Sequence, residues 1–288
     1  MSSDLNKWTV VTGSTGGIGS EVTSILASRS HHLILVNRSG QSGQAQLEHL
    51  LGRHPALKVE VVTADFMDTD SIRAAIEVLC ALPGPIGSLY NIAGVLNAER
   101  ILSKQGFESN FAVNTLAPYQ LIKGLRRKMT PPPGSGESII VNLSSSAIFR
   151  QRSLEVSRLT RPSEVTGLMG TYAQSKLALS VLSVALAPEL SSDRILIRAI
   201  DPGATKTAMT TNNAAMPRAL QWLAPLFFGD PAKNAGKVVE SALPSEFGGA
   251  TGLIISRGRR KNLPKATAHQ EQWRQLIAVL DNALEQSD

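Results

Sequence analysis

One pattern constrains the fold of this chain more than any other. Short, continuous apolar runs, each about one strand long, alternate with amphipathic stretches of helical length. WTVVT (8–12) is followed by a helix over 17–29, and LILVN (33–37) by GQAQLEHLLGR (43–53). KVEVVTAD (58–65) leads into DTDSIRAAIEVLCAL (68–82), a helix opened by an acidic, capping-type cluster. GSLYNIAG (87–94) precedes a long helical region near 105–129, and SIIVNLSS (138–145) precedes a helix over 171–190. RILIRAIDP (194–202) and GLIIS (252–256) complete the strands. Strands that are apolar throughout, rather than at alternate positions, must be covered on both faces. The pattern therefore predicts an α/β fold with a doubly wound, mainly parallel sheet of seven strands and helices on both faces. No repeat is present, and TPPPGSGE (130–137) reads as a loop rather than a linker, so one domain spanning 1–288 is expected.

The first strand runs into VVTGSTGGIG (10–19) and then a helix. Glycines at such a junction allow the tight turn, the approach of backbone amides to a pyrophosphate and close helix–strand packing, and the helix N-terminus favours the anion. This is a Rossmann-type dinucleotide signal. Its spacing fits both Gly13-x-x-x-Gly17-x-Gly19 and Gly13-x-x-Gly16-x-x-Gly19. The second strand ends in Asn37-Arg38, without the carboxylate that would bond an adenosine ribose and repel a 2′-phosphate. The Arg38 guanidinium could pair with such a phosphate or stack on adenine, which favours NADP (NADPH) over NAD.

Composition excludes several other classes. With 42% hydrophobic and 18% charged residues the chain reads as globular, and it has no run of apolar residues long enough for a membrane span. MSSDLNKWTV enters the first strand directly and Cys80 is the single cysteine, so no secretion signal or internal disulfide is expected and a cytoplasmic location is. The formal charge is +6, yet the basic clusters LRRKM (125–129) and RGRRK (257–261) are not interleaved with aromatics. They read as solvated surface and no nucleic-acid partner is expected. His31, His32, His49, His54 and His269 lack metal-site spacing, so no metal is expected, and no G-x-S-x-G hydrolase motif occurs.

GTYAQSKLAL (170–179) places Tyr172 and Lys176 one turn apart on one helical face. Alone, such a pair could equally be a core aromatic beside a solvated lysine. In combination with the other motifs, however, residues 8–256 strongly resemble the single-domain branch of the short-chain dehydrogenase/reductase family. The glycine turn matches its coenzyme loop. NIAG (91–94) resembles its Asn-Asn-Ala-Gly with Ile92 in place of the second asparagine, and FAVNTLAP carries Asn114 at the position of the catalytic asparagine. IIVNLSSS aligns Ser145 with the catalytic serine, with Ser144 and Ser146 as rivals, and Tyr172 and Lys176 match Tyr-x-x-x-Lys. DPGATKT (201–207) matches the Pro-Gly segment beside the nicotinamide.

The resemblance implies a coenzyme half over about 8–145, a catalytic and substrate half over about 146–256 and a C-terminal extension over 257–288. Coenzyme contacts are implied from Gly13, Ser14, Thr15, Gly17, Ile18 and Gly19 in the loop. Arg38, Asp65 and Phe66 would hold the adenosine, and Asn91 and Ala93 the following loop. Gly203, Thr205 and Thr207, with Tyr172 and Lys176, would flank the nicotinamide. Asn114, Ser145, Tyr172 and Lys176 would be catalytic. A tyrosine is a poor base at neutral pH, and nearby positive charge from Lys176 and oxidised nicotinamide favours its phenolate. Ser145 would bond the substrate oxygen, and Asn114 would hold water that relays protons from Lys176 to solvent.

These features predict an NADP-dependent oxidoreductase interconverting an alcohol and its carbonyl. The alternatives are a coenzyme-binding regulatory or scaffold protein on the same fold and a sugar-nucleotide epimerase or dehydratase. The first would be expected to lose one of Ser145, Tyr172 or Lys176, and the second needs a substrate domain that residues 204–288 do not supply. The 26 residues between Ser145 and Tyr172 resemble the spacing of retinol-dehydrogenase-like members and read as either a lid or a surface loop. Met209, Met216, Trp222, Leu226, Phe227 and Phe228 could wall a lipophilic pocket or form the buried face of a helix. By resemblance, the helices near 105–129 and 171–190 would form a symmetric homodimer or homotetramer interface.

Overall fold

The structure, a computed structural model, describes residues 7–165, 170–205, 229–267 and 269–286. Its strands are β1 (Trp8–Thr12), β2 (His32–Asn37), β3 (Lys58–Thr63), β4 (Ile86–Asn91), β5 (Ser138–Leu143), β6 (Ile195–Asp201), β7 (Leu253–Ser256) and β8 (Arg259–Lys261). They form one sheet in the order β3-β2-β1-β4-β5-β6-β7-β8. Every pairing from β3 to β7 is parallel, as the continuous apolar strands predict. All residues of β1, β5 and β6 are buried, whereas β3, at the edge, is mostly half-exposed.

The sheet has eight described strands rather than the expected seven. β8 pairs antiparallel with β7 through a hairpin in which Arg257 and Gly258 both take positive φ, 51° and 77°. That geometry matches the twist of a two-residue hairpin, and glycine supplies half of it without strain. The basic cluster at 257–261 is therefore partly an edge strand, where exposed arginine and lysine side chains discourage further pairing.

On one face lie α1 (Gly17–Ala27), α2 (Gly40–Arg53) and a helix over Pro231–Ala242. Ile18, Val22, Leu26, Leu50, Ala235, Val238 and Val239 join the core beneath them. On the other face lie α3 (Thr69–Ala81), α4 (Ala117–Met129), α5 (Thr171–Ala185) and a helix over Gln270–Glu285. Ile72, Leu79, Leu121, Leu125, Leu177, Val181, Leu276 and Leu280 form that core. Numbered in chain order, a short α6 (Ala187–Ser192) follows α5, Pro231–Ala242 is α7 and Gln270–Glu285 is α8. Neither α7 nor α8 is among the elements expected from the sequence.

The helical region before α4 is not uniform. A turn at Ser109–Phe111, capped by the buried Glu108 carboxylate on the amides of Asn110 and Phe111, widens into a π-turn over Ala112–Leu116. Such widened turns recur at functional sites, and this one carries Asn114. The register pairs Thr12 with Asn91 and Asn91 with Asn142. The C-terminal ends of the central strands therefore align. The strand order reverses between β1 and β4, and the crevice above that reversal is where doubly wound sheets bind ligands.

Candidate active site

A cleft of about 870 Å³ opens over the C-terminal ends of β1, β2, β4, β5 and β6. At its floor the chain leaves β1 through Gly13, whose φ of 65° is left-handed. A side chain at Gly13 would place Cβ 2.8 Å from Ala93 Cα, and one at Gly19 would place it 2.1 Å from the Gly13 carbonyl oxygen. Both positions demand glycine. The Thr12 hydroxyl accepts hydrogen bonds from the amides of Ile92 and Ala93 at 3.0 and 3.1 Å, joining the loops after β1 and β4. The N-cap of α1 is Gly16, which has no side chain to occupy the first-turn amides. The cradle therefore fits a phosphate group.

Gly13, Thr15, Gly17, Ile18 and Gly19 line the cleft, and so do Arg38, Asp65, Phe66 and Ala93. Ser14 does not. It is fully buried behind the loop, where Asn37 Nδ2 donates to its hydroxyl at 2.8 Å and Gln46 Nε2 donates to its carbonyl at 2.7 Å. Asn37 is thus committed to loop structure while Arg38 remains exposed at the cleft rim. Asp65 folds back to accept the Met67 amide at 2.9 Å. Asn91 is also behind the wall, donating to Asn142 Oδ1 at 2.8 Å, and Asn142 in turn donates to Ser183.

Ser145, Tyr172 and Lys176 converge at the other end of the cleft. α5 presents Tyr172 and Lys176 on one face, as their four-residue spacing requires. Lys176 is buried, and its Nζ donates to the Leu143 carbonyl at 2.8 Å. Desolvation draws its pKa down to about 8. Burial pushes the Tyr172 phenol above its ordinary value, the neighbouring Ser145 hydroxyl opposes that rise, and the Asp201 charge adds to it. In this arrangement Tyr172 holds its proton at neutral pH and can donate it, and Lys176 sits close enough to neutrality to exchange one.

The three adjacent serines part company in space. Ser144 is buried and its hydroxyl lies 2.7 Å from that of Ser180. Ser145, with its hydroxyl beside Tyr172, accepts the Ala147 amide at 3.3 Å. Ser144 and Ser146 also line the cleft. Asn114 does not reach the cleft wall. It grips Val95 from both sides, accepting its amide and donating to its carbonyl at 2.9 Å each, and donates to Ser175 at 3.0 Å. It remains close to Lys176 all the same, because a Cβ at Gly94 would lie 3.0 Å from Asn114 Oδ1 and 3.2 Å from Lys176 Nζ.

At the end of β6, Asp201 accepts the Gly203 amide at 2.9 Å and the Ser256 hydroxyl at 2.7 Å, holding the Pro-Gly turn, where Gly203 has φ 91°. Gly203 and Thr205 line the cleft. Thr207 lies outside the described residues, and so do Met209, Met216, Trp222, Leu226, Phe227 and Phe228. The sequence reading missed Gly94, Arg150 and Arg257 as cleft residues. Gly94 stood in the quoted NIAG motif. Arg257 was hidden in a basic cluster that charge alone assigns to the surface, yet its side chain crosses 3.3 Å from where a Gly203 Cβ would stand.

Residues 7–158 match the family model of the short chain dehydrogenases. The chain is 31% identical to a polyprenol dehydrogenase of Danio rerio, over 88% of this chain and 79% of that protein. It is 29% identical to human retinol dehydrogenase 11, over 82% and 73% of the two chains. A solved structure of a blue fluorescent protein from a metagenomic library, in complex with NADPH, superposes with a TM-score of 0.66. That pair is 25% identical and covers 88% of this chain and 97% of the other.

Proposed function

Because the chain belongs to the short-chain dehydrogenase/reductase family, we propose that it is an NADP-dependent oxidoreductase interconverting a lipophilic alcohol and its carbonyl, with Tyr172 as acid/base. The observation that carries this reading is the convergence of Ser145, Tyr172 and Lys176 on the same cleft that the glycine cradle and Arg38 line.

Gly13, Gly17, Ile18 and Gly19 would hold the pyrophosphate, Asp65 and Phe66 the adenine side, and Gly203, Thr205 and Thr207 the nicotinamide side. Arg38 would pair with a 2′-phosphate. When bound, the coenzyme supplies or accepts the hydride. In the reducing direction the carbonyl oxygen lies between the Ser145 and Tyr172 hydroxyls. Tyr172 would donate its phenolic proton to that oxygen, balancing the hydride that a bound coenzyme would supply to the carbonyl carbon, so that the alcohol forms. The phenolate left behind recovers a proton through Lys176 from solvent. In the oxidising direction the same proton travels the other way, from alcohol to phenolate. Asn114, with Val95 and Ser175 as partners, holds the loop after β4 and the first turn of α5 in fixed relation and so keeps Tyr172 aligned.

A lipophilic substrate is supported by the apolar residues of 209–228 and by relatives named for polyprenol and retinol, both apolar alcohols. The test is a screen of apolar alcohols, aldehydes and ketones with NADPH and NADP, followed by absorbance at the nicotinamide band. Coenzyme binding with no turnover across the screen would favour a binding protein on the same fold.

A further inference from the structure

α5 poses a packing problem that its own sheet does not solve. Eleven of its 15 residues are buried, so the helix is covered nearly all round. One side faces the cleft with Tyr172 and Lys176, and another lies on β5 and β6. The remaining side needs a further layer, and the sequence reading expected a second copy of the chain to supply it.

The structure supplies it from within. α8 lies across α5 and the turn Val156–Arg158. It buries Leu276, Leu280 and Ala283 in the core shared by α3, α4 and α5, with Trp273, Ile277 and Leu284 packed at the margin. It is also latched to α4, because Asp281 accepts the Tyr119 hydroxyl at 2.7 Å and the Lys123 ammonium at 2.6 Å. Its entry is pinned where Trp273 Nε1 donates to the Thr267 carbonyl at 2.8 Å. The opposite face of α8 carries Glu271, Arg274, Gln275, Ala278, Asn282 and Glu285, all exposed, and offers no apolar stripe for another layer.

We infer that α8 occupies in cis the α4–α5 face that a second copy would cover, so that the 288-residue chain is a monomer whose Tyr172-bearing helix is braced by its own C-terminal segment. α5 then keeps Tyr172 and Lys176 in register without an oligomer. The interface partner this face fits is a short amphipathic helix with an acidic residue opposite Tyr119 and Lys123, and the chain carries that helix itself.

Light scattering of the whole chain from low micromolar to several hundred micromolar should return a constant mass near 30.7 kDa. A species of twice that mass in this range would overturn the inference. The double variant Leu276→Glu/Leu280→Glu should lift α8 and self-associate through the uncovered face, whereas Ala278→Glu, on the exposed face, should behave as wild type. Should the double variant prove too unstable to study, Asp281→Ala offers a milder arm. Losing the latch to Tyr119 and Lys123 should speed amide exchange in α8 about tenfold or more while the sheet keeps its protection. Unchanged exchange in α8 would count against the bracing role. None of these readouts depends on enzymatic activity, so they stand or fall separately from the proposed reaction.

Discussion

At the scale of single residues, the site is built from groups held at some cost to stability. Lys176 is the clearest, since burial holds its pKa at about 8 against 10.5 for the free side chain. Between those values the unfolded chain retains a proton that the folded chain has released, so stability rises with pH across that window. Below it both states are protonated and the cost of burying the ammonium is fully present. Unfolding free energies measured from pH 7 to 10.5 should therefore climb in wild type relative to Lys176→Met, and parallel curves would contradict the burial argument. Arg38 acts at the opposite end of the cleft. Losing one charge-assisted contact of about 1.5–3 kcal/mol weakens binding roughly ten- to a hundredfold. Arg38→Ala should thus lower NADPH affinity by that factor and leave NADH nearly unchanged, which parallel titrations will read. Equal losses for both coenzymes would remove Arg38 from the 2′-phosphate. Gly19→Ala should be worse than either, because its Cβ would fall 2.1 Å from the Gly13 carbonyl oxygen. Overpacking of that kind costs about 1–3 kcal/mol or more, so a lower melting temperature and lost coenzyme binding are expected together.

At the scale of elements, what the sequence made legible depended on whether local pattern or tertiary contact set the structure. β1 to β7 are all read correctly because buried strands are apolar along most of their length, and the motifs at the C-terminal ends of β1, β2, β4, β5 and β6 could then be placed on one rim. β8 escaped because three exposed basic residues carry no strand periodicity, and its hairpin turns on Arg257 rather than on an Asn-Gly or Asp-Gly signal. α7 has a legible start, since Asp230 caps the Ala232 amide immediately before Pro231. Its Asn234 and Gly236 weaken the helical signal that follows. Asp230→Ala should cost about 1 kcal/mol, measurable by denaturant unfolding. α8 begins at Gln270 and its N-cap residue, His269, makes no side-chain capping bond, so its start carries no signal. Its stripe of Trp273, Leu276, Ile277, Leu280 and Leu284 was nonetheless readable at helical spacing. The π-turn at Ala112–Leu116, which carries Asn114, was not readable, because the apolar periodicity of a helix does not signal a widened turn.

At the scale of the whole molecule, the sheet brings residues from all along the chain to one crevice. Gly13 and Lys176 are 163 positions apart in sequence yet line one cleft, because the strand order reverses between β1 and β4. The same topology explains why motif order identifies the family while single motifs do not. Tyr172 and Lys176 mean little until β5 brings Ser145 beside them and β1 turns its glycines toward the same space. Ser14, Asn91 and Asn114 belong to motifs of the resemblance, yet all three are buried off the cleft wall, where the Ser14 hydroxyl and the Asn91 and Asn114 side-chain amides bond to protein groups. Acid–base chemistry through Tyr172 is the proposed work of this crevice, and the substitution Tyr172→Phe probes it at a single atom. The substitution removes one hydroxyl and keeps the ring that packs in the wall. On a substrate identified with the wild type, kcat should fall by about 10²–10⁴, the usual contribution of general acid–base catalysis, while NADPH affinity and melting temperature stay close to wild type. A variant that turns over at near wild-type kcat would contradict the assignment.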